Sequence, residues 1–260
     1  MRSLRYRSHL LIIASLLLTL GLPLSAYQVI EVKEGGTLTG LVKFPGETAP
    51  RAMFGTRGDP KCPPGIPQEH LIVKQENRGI KNAIVVLTIE QGKAMPAVKN
   101  QLTSTGCRFE PRMQWIPKGN NLYLINKDLT IHNVKALRRN VAQFSVELGP
   151  KAQPVRRPMI NTGLFKINCD RHLWERAWVY VSDHPYVTVT DGEGRFEIKD
   201  IPPGTYEVYA WHEGWIEKGT EHTGQLFYQP MQQAKRVAIH KGETSEVLLD
   251  AFQPMASANH

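Results

Sequence analysis

Apolar and polar residues alternate with a period of two along most of the chain from Val29 onward. Short runs of this kind are separated by Gly, Pro and Asn, a pattern typical of β-strands joined by turns. Residues 36–42 predict a first strand. Residues 81–89 predict a fuller strand whose continuous apolar core indicates burial on both faces. Almost no stretch has the period of a long amphipathic helix, so the pattern predicts an all-β protein.

The rest of the chain contains further strand-like runs and three stretches of different character. The runs lie at 108–111, 114–117, 122–126, 165–169, 176–181, 187–198, 201–208 and 236–249. Residues 91–104 are polar and predict a loop. Residues 135–164 fit either one or two helical turns or an excursion loop. The tail, residues 253–260, is predicted to be disordered.

The N-terminal residues have the order of a secretory signal peptide. Three arginines precede an apolar run at 10–22, and residues 24–26 fit the small-residue cleavage site that follows such a run. The run is shorter than the ~20 residues of a comfortable membrane span. We therefore expect residues 1–26 to be removed, a mature start near Tyr27, a periplasmic or secreted location and no stable membrane insertion afterwards. A retained N-terminal anchor is the alternative.

Loss of that segment removes three arginines and lowers the formal net charge from +8 to +5. The remaining Lys and Arg are scattered, and no aromatic platform is interleaved with them, so nucleic-acid binding is not expected. A solvated surface is the preferred interpretation, with docking to an acidic redox partner as the other possibility.

Three cysteines in an exported chain leave one unpaired. Cys62 and Cys107 lie in loop-like, Pro/Gly-flanked sequence, whereas Cys169 has a histidine three positions later. This context favours a Cys62–Cys107 disulfide and a free Cys169. A free Cys62, or a Cys62–Cys169 pair, is the alternative.

Cys169 and His172 are separated by two residues on a short loop between strand-like runs, and His132 lies at the end of another such run upstream. A thiolate suits Cu(I) and imidazoles suit both oxidation states of copper, so two His and one Cys form a copper site that can change its oxidation state. Zinc accepts the same residues and is the competing metal. In the metal-free alternative, the two histidines are packed polar residues.

These residues resemble a cupredoxin of the amicyanin and plastocyanin type. The resemblance runs over about residues 105–181, through Asn126-(x5)-His132-Asn133-Val134 and Cys169-Asp-Arg-His172-Leu-Trp-Glu175. It implies a Greek-key β-sandwich, copper held by His132, Cys169 and His172, and an Asn133 that ties the ligand loops together.

Glu175 occupies the position where the resemblance implies an axial methionine. A carboxylate is a harder ligand, so it would stabilise Cu(II) and lower the reduction potential, as in the red copper centre of nitrosocyanin. The alternative is that Glu175 faces solvent or pairs with Arg171 or Arg176.

Residues 190–208 resemble a carboxypeptidase regulatory-like domain, a small transthyretin-type β-sandwich, and residues 36–42 and 81–87 resemble its opening strands. The predicted organisation is therefore an insertion. It has a signal peptide (1–26), N-terminal strands of the second sandwich (27–90), a cupredoxin domain (91–186), the regulatory-like domain (187–252) and the tail (253–260).

The resemblance implies electron transfer in a bacterial periplasm to a protein redox partner, with a partly exposed His172 as the exit and with no catalytic residues. A copper chaperone or storage protein, a small red-copper-type enzyme and a metal-free structural module are the alternatives. His184 and His212 flank the domain junction, where interface hydrogen bonds are preferred over a second metal site. Four tryptophans, at 174, 178, 211 and 215, are predicted to pack that junction or to form a docking rim.

Overall fold

The computed structural model describes residues 26–45, 53–55, 59–67, 69–215 and 229–254, and its regular elements are all β-strands. The early strands are β1 (Gln28–Val29), β2 (Gly36–Val42), β3 (Met53–Gly55), β4 (Gly65–Pro67), β5 (Ile84–Thr88) and β6 (Gln91–Gly92). The middle strands are β7 (Asn100–Thr105), β8 (Arg108–Glu110), β9 (Met113–Pro117), β10 (Asn121–Asn126), β11 (His132–Arg138), β12 (Val141–Leu148), β13 (Val155–Pro158), β14 (Gly163–Cys169) and β15 (Arg176–Ser182). The late strands are β16 (Val187–Val189), β17 (Arg195–Ile201), β18 (Gly204–Trp215), β19 (Gln229–Ile239), β20 (Thr244–Leu249) and β21 (Gln253–Pro254). The all-β prediction is confirmed. The described ranges hold no helix long and apolar enough to cross a membrane, and the predicted signal peptide lies outside them.

Strands β7 to β15 form what we call the central sandwich. One sheet has the order β13-β10-β7-β8 and the other has the order β12-β11-β14-β15-β9. Its core contains, among others, Leu102, Phe109, Ile116, Leu122, Leu124, Val134, Ala136, Phe165, Ile167 and Val179.

Alternation along two neighbouring strands aims two polar side chains into this core. On β14, Phe165, Ile167 and Cys169 are buried and share one face, as the period of a strand requires. On β11, His132 and Val134 likewise share the buried face. Val134 pairs directly with Cys169 across the antiparallel ladder. His132 and Cys169 therefore both point inward at the same end of the sheet.

Two predictions in this part of the chain are wrong. Residues 91–104, expected to be a loop, include β6 and most of β7, and β7 pairs in parallel with β10. Residues 135–164, expected to be helical turns or an excursion, include a β11–β12 hairpin. Its turn residues Arg139 and Asn140 have φ values of 48° and 61°, the left-handed pair that suits a tight hairpin turn.

The other large sheets form what we call the flanking sandwich, with strand orders β16-β5-β18-β19-β21 and β17-β2-β20. These strands come from both sides of the central segment in sequence. The predicted burial of β5 on both faces is confirmed, because Ile84 to Leu87 are all buried. Val85 and Leu87 face the core of the flanking sandwich, while Ile84 and Val86 face the central sandwich. The start of the tail, predicted to be disordered, forms β21. The predicted domain boundaries stay a prediction.

The two sandwiches meet through aromatic rings and one buried ion pair. Trp178 and Trp211 pack edge to face with centroids 4.8 Å apart. Arg112 bonds both carboxylate oxygens of Glu213, at 2.5 and 2.9 Å, and the Trp178 indole donates to the same carboxylate at 3.1 Å. His212 is buried there and accepts a hydrogen bond from the Gly214 amide. The charged groups and the aromatic packing together fix β9 and β15 against β18.

Candidate metal centre

Four side chains of the central sandwich converge at one end of its core. His132 begins β11 and Cys169 ends β14, while His172 and Glu175 lie on the loop that joins β14 to β15. That loop is closed by a hydrogen bond from the Glu175 amide to the His172 carbonyl at 2.9 Å. The closure turns both loop side chains back towards Cys169.

The ligand-type atoms of these four residues all lie within 4.8 Å of one another. His132 Nδ1 is 3.2 Å from His172 Nδ1 and 2.9 Å from Glu175 Oε2. Cys169 Sγ is 3.6 Å from His172 Nδ1 and 4.0 Å from His132 Nδ1. The structure therefore brings all four sequence-predicted ligand residues to one point.

The cluster is almost completely removed from solvent. His132, Cys169, His172 and Glu175 are 0%, 1%, 3% and 2% exposed. Burial, with a smaller contribution from the Glu175 charge, raises the pKa of the Cys169 thiol to about 12. Burial alone would raise the pKa of Glu175, but the hydrogen bond with His132 and the nearby His172 ring hold it below its ordinary value. The Glu175 carboxylate, whose Oε1 lies 3.7 Å from His172 Nδ1, in turn raises the pKa of His172.

Each imidazole also has a carboxylate on its outer nitrogen. His132 Nε2 lies 3.1 Å from Asp128 Oδ2, and His172 Nε2 lies 3.1 Å from Asp59 Oδ2. The Thr130 hydroxyl donates to Asp59 at 2.5 Å and is the main reason that the pKa of Asp59 falls to about 2. The sequence analysis missed both aspartates. Asp128 lies four residues before His132, a local signal, whereas Asp59 is 113 residues from His172 and has none.

A cross-linked segment covers the site. Cys62 and Cys107 form a disulfide, and Cys62 Sγ lies 3.7 Å from His172 Nε2. The Trp174 ring packs 5.2 Å from the His172 ring and donates to the Cys107 carbonyl at 3.0 Å. The expectation of a partly exposed His172 is therefore wrong, because the distant segment around Cys62 lies over its ring.

The neighbouring loop residues differ in part from what the resemblance implied. Asn133 contacts the ligand loop through its backbone, whose carbonyl accepts from the Asp170 amide at 3.1 Å. The Asn133 side chain instead accepts from Ser145 at 2.7 Å. Arg171 pairs with Glu147 at the surface, and Glu175 faces inward. Of the three alternatives for Glu175, solvent exposure and pairing with Arg171 are therefore wrong.

The donor atoms suit a transition-metal cation. A carboxylate is acceptor-only, so Asp128 and Asp59 can accept hydrogen bonds from the Nε2 atoms of His132 and His172, while the Nδ1 atoms face Cys169 and Glu175. Glu175 Oε1 is buried and has no hydrogen-bond partner. One thiolate, two imidazoles and one carboxylate are ligands of both copper and zinc. Within the described residues, no comparable group includes His184 or His212.

Comparison with known proteins gives limited matches. The family described as polysaccharide lyase family 4, domain II, matches residues 139–247, from β12 into β20. A search of curated proteins finds no match. The resemblance to a carboxypeptidase regulatory-like domain is not shown.

Three solved structures are similar to part of the chain. A purple cupredoxin from Nitrosopumilus maritimus is 23% identical over 32% of this chain and 100% of its own, with a TM-score of 0.30. Amicyanin from Paracoccus versutus is 19% identical over 38% of this chain and 97% of its own, with a TM-score of 0.30. A copper nitrite reductase from Thermus scotoductus is 17% identical over 38% of this chain but 25% of its own, with a TM-score of 0.31. At these values the likenesses carry no functional argument, which rests on the site itself.

Proposed function

We propose that this chain is an exported copper-binding protein of the cupredoxin type that transfers single electrons in a bacterial periplasm. The observation that carries the proposal is the buried convergence of His132 Nδ1, Cys169 Sγ, His172 Nδ1 and the Glu175 carboxylate. Copper held there supplies a one-electron couple. The four residues combine a soft ligand for Cu(I) with harder ligands for Cu(II).

The scaffold suits electron transfer because it holds these groups still. Two of the four lie on paired strands of one sheet, with Val134 opposite Cys169. The other two lie on a short loop closed by its own backbone hydrogen bond. A site that keeps its geometry in both oxidation states lowers the reorganisation that slows electron transfer.

Export is supported by the Cys62–Cys107 disulfide, since such bonds persist in oxidising compartments. A protein redox partner is proposed to dock beside the ligand loop. Leu173 and Leu129 are 81% and 63% exposed. Leu173 follows His172 directly, and Leu129 lies between Asp128 and Thr130. Because His172 is buried, we propose that the partner contacts these two apolar side chains and not the His172 ring.

Glu175 favours a second candidate, a small red-copper-type enzyme. Its carboxylate stands where a weakly bound thioether is expected, and a harder ligand favours Cu(II) over Cu(I). Electron transfer remains the first choice because all four side chains are buried among the described residues, with Cys62 of the cross-linked segment against the His172 ring.

The test is the spectrum of the copper-loaded protein. The chain is expressed with its N-terminal segment and exported, loaded with Cu(II), and measured by visible absorption and electron paramagnetic resonance. An intense thiolate-to-copper band is expected, and Cys169→Ser should abolish it. Glu175→Met should shift the band and raise the reduction potential. Glu147→Gln, which removes a surface carboxylate beside the same loop, serves as the control for Glu175→Met.

Each alternative has its own result. Absence of the band in wild type, or its survival in Cys169→Ser, contradicts the copper proposal. Metal analysis showing zinc in protein purified without added metal, with no affinity for copper above that for zinc, assigns a zinc site. Retention of Cu(I) without reversible oxidation indicates a copper-handling protein. Turnover of an oxygen or nitrogen species by the loaded protein favours the enzyme.

A further inference from the structure

We propose that Asp59 and Asp128 are positioning residues of the metal centre, which accept the Nε2 protons of His172 and His132 and so aim both Nδ1 atoms at Cys169 and Glu175. This role rests on the copper function proposed above. It extends that function to two residues outside the ligand set, one of them on a segment distant in sequence.

The hydrogen-bond chemistry of the two imidazoles leads to this assignment. An ionised carboxylate offers lone pairs and no proton, so the imidazole nitrogen 3.1 Å from each aspartate carries a proton. His132 Nδ1 also lies 2.9 Å from the Glu175 carboxylate, so Asp128 competes with Glu175 for a hydrogen bond from that ring. Nε2 therefore stays protonated whether Nδ1 carries a proton or binds a metal. A carboxylate partner on the outer nitrogen fixes the tautomer and ring orientation and raises the basicity of the ligating nitrogen.

Both aspartates are held in place by other donors. Asp128 accepts from the Gly106 and Cys107 amides at 2.6 and 3.0 Å. Asp59 accepts from the Thr130 hydroxyl at 2.5 Å and from the Lys61 amide at 2.9 Å. Since neither carboxylate is free to follow a turning ring, rotation of either imidazole breaks a charge-assisted hydrogen bond.

One disulfide joins the two aspartate-bearing segments. The Cys107 amide donates to the Asp128 carboxylate, and the Cys62 amide donates to the Asp59 carbonyl at 3.1 Å. Cys62 and Cys107 are bonded to each other. The cross-link therefore fixes Asp128, the partner of His132, relative to Asp59, the partner of His172. The structure thus gives the segment around Cys62 a function: it delivers Asp59 to the metal centre.

The two carboxylates also change the charge around the site. With the Cys169 thiolate and Glu175, they place four anionic groups around one cation. The extra negative charge stabilises Cu(II) more than Cu(I), because the interaction grows with the charge of the ion. Asp59 and Asp128 should therefore lower the reduction potential as well as orient the ligands.

The orientation is tested first without metal. Nitrogen-15 NMR of the metal-free wild-type protein should show a proton on Nε2 of both His132 and His172. Asp59→Ala should allow the His172 proton to move to Nδ1, and Asp128→Ala should move the His132 proton to Nδ1, where the Glu175 carboxylate accepts it. Asp59→Asn and Asp128→Asn should restore the proton on Nε2, because an amide oxygen still accepts a hydrogen bond from it.

The charge effect is tested with copper. The alanine variants should lose 10- to 100-fold in Cu(II) affinity, the usual range for such partners. Each asparagine variant should keep the ring orientation but raise the potential, by about 59 mV for each tenfold preferential loss of Cu(II). Asp170→Asn is the matched control. It removes a carboxylate next to Cys169 that is 48% exposed and paired with Lys135, so it should change the affinity and the potential little.

The outcomes separate this inference from the proposed function. Absence of the Nε2 proton from His132 and His172 in the wild type overturns the positioning role even if copper binds, and this measurement needs no variant to fold. Unchanged tautomers and affinity in both alanine variants overturn it as well. Nε2–H tautomers in a protein that binds no copper leave the orientation by Asp59 and Asp128 standing and reject the copper function.

Discussion

Removing the Cys62–Cys107 cross-link should destabilise the protein strongly. The two cysteines are 45 residues apart in sequence. The chain-entropy relation for a loop of that size gives about 4 kcal/mol of stabilisation. For a chain of this length, 1 kcal/mol corresponds to roughly 2–4 °C in Tm, so Cys62→Ser with Cys107→Ser should melt about 8–16 °C lower.

The assay is thermal unfolding of the metal-free protein followed by circular dichroism, with the double serine variant beside the oxidised wild type. Wild type incubated with a reductant is the control, since it removes the same bond without a substitution. If the double variant melts within about 2 °C of wild type, the cross-link does not constrain the unfolded chain as argued. Loss of the His172 Nε2–H tautomer in the same variant would link the disulfide to the placement of Asp59.

Three further stability predictions are checked by urea denaturation. Arg112→Leu should lower the free energy of unfolding by about 3–5 kcal/mol, because it leaves the buried Glu213 carboxylate without its cation. Glu213→Gln should lower it by less, because Arg112 is the more exposed partner. Trp178→Phe should cost about 1 kcal/mol, since it keeps the ring but removes the donor to Glu213. Asn126→Ala should cost about 2–3 kcal/mol, because the Asn126 amide bonds three buried or half-buried carbonyls and its oxygen accepts from the Asp128 amide.

The ligand residues could be predicted because local sequence carries their arrangement. Cys169 ends an alternating run whose buried members are Phe165 and Ile167, so its inward direction follows from the period of the strand. His132 begins a similar run, and the short loop after Cys169 holds His172 and Glu175 close by. Only the antiparallel pairing of the two strands had to be supplied by the fold.

The parts that sequence reasoning missed depend on contacts between distant segments. Strand β7 has a polar sequence, yet Asn100 is buried because its amide donates to the Trp115 carbonyl at 2.8 Å. The hairpin at Arg139 and Asn140 lacks the glycine that usually marks such a turn. Asp59 reaches His172 from a segment 113 residues away, which is cross-linked to Cys107. No local pattern encodes such contacts.

The buried His212 leads to a prediction about stability and pH. Burial is the main cause that lowers its pKa to about 4; the Glu213 charge opposes the shift and the Arg112 charge adds to it. Its Nδ1 accepts a hydrogen bond from the Gly214 amide, an interaction that requires that nitrogen to be unprotonated. An unfolded histidine titrates near 6.5. Between pH 6.5 and 4 the unfolded chain therefore binds a proton that the folded chain does not.

The free energy of unfolding should consequently fall as the pH drops through that window, by about 3 kcal/mol for this one group, and should not change on its account above pH 6.5. The measurement is urea denaturation of the metal-free protein at a series of pH values from 4.5 to 7.5. His212→Gln should reduce the slope of the unfolding free energy against pH by the equivalent of up to one bound proton. His240→Gln, at an exposed position, should leave that slope as in wild type. Some slope should remain in His212→Gln, because burial also lowers the pKa of His70 to about 4. Parallel curves for wild type and His212→Gln would show that the folded protein accepts a proton at His212 as readily as the unfolded chain does.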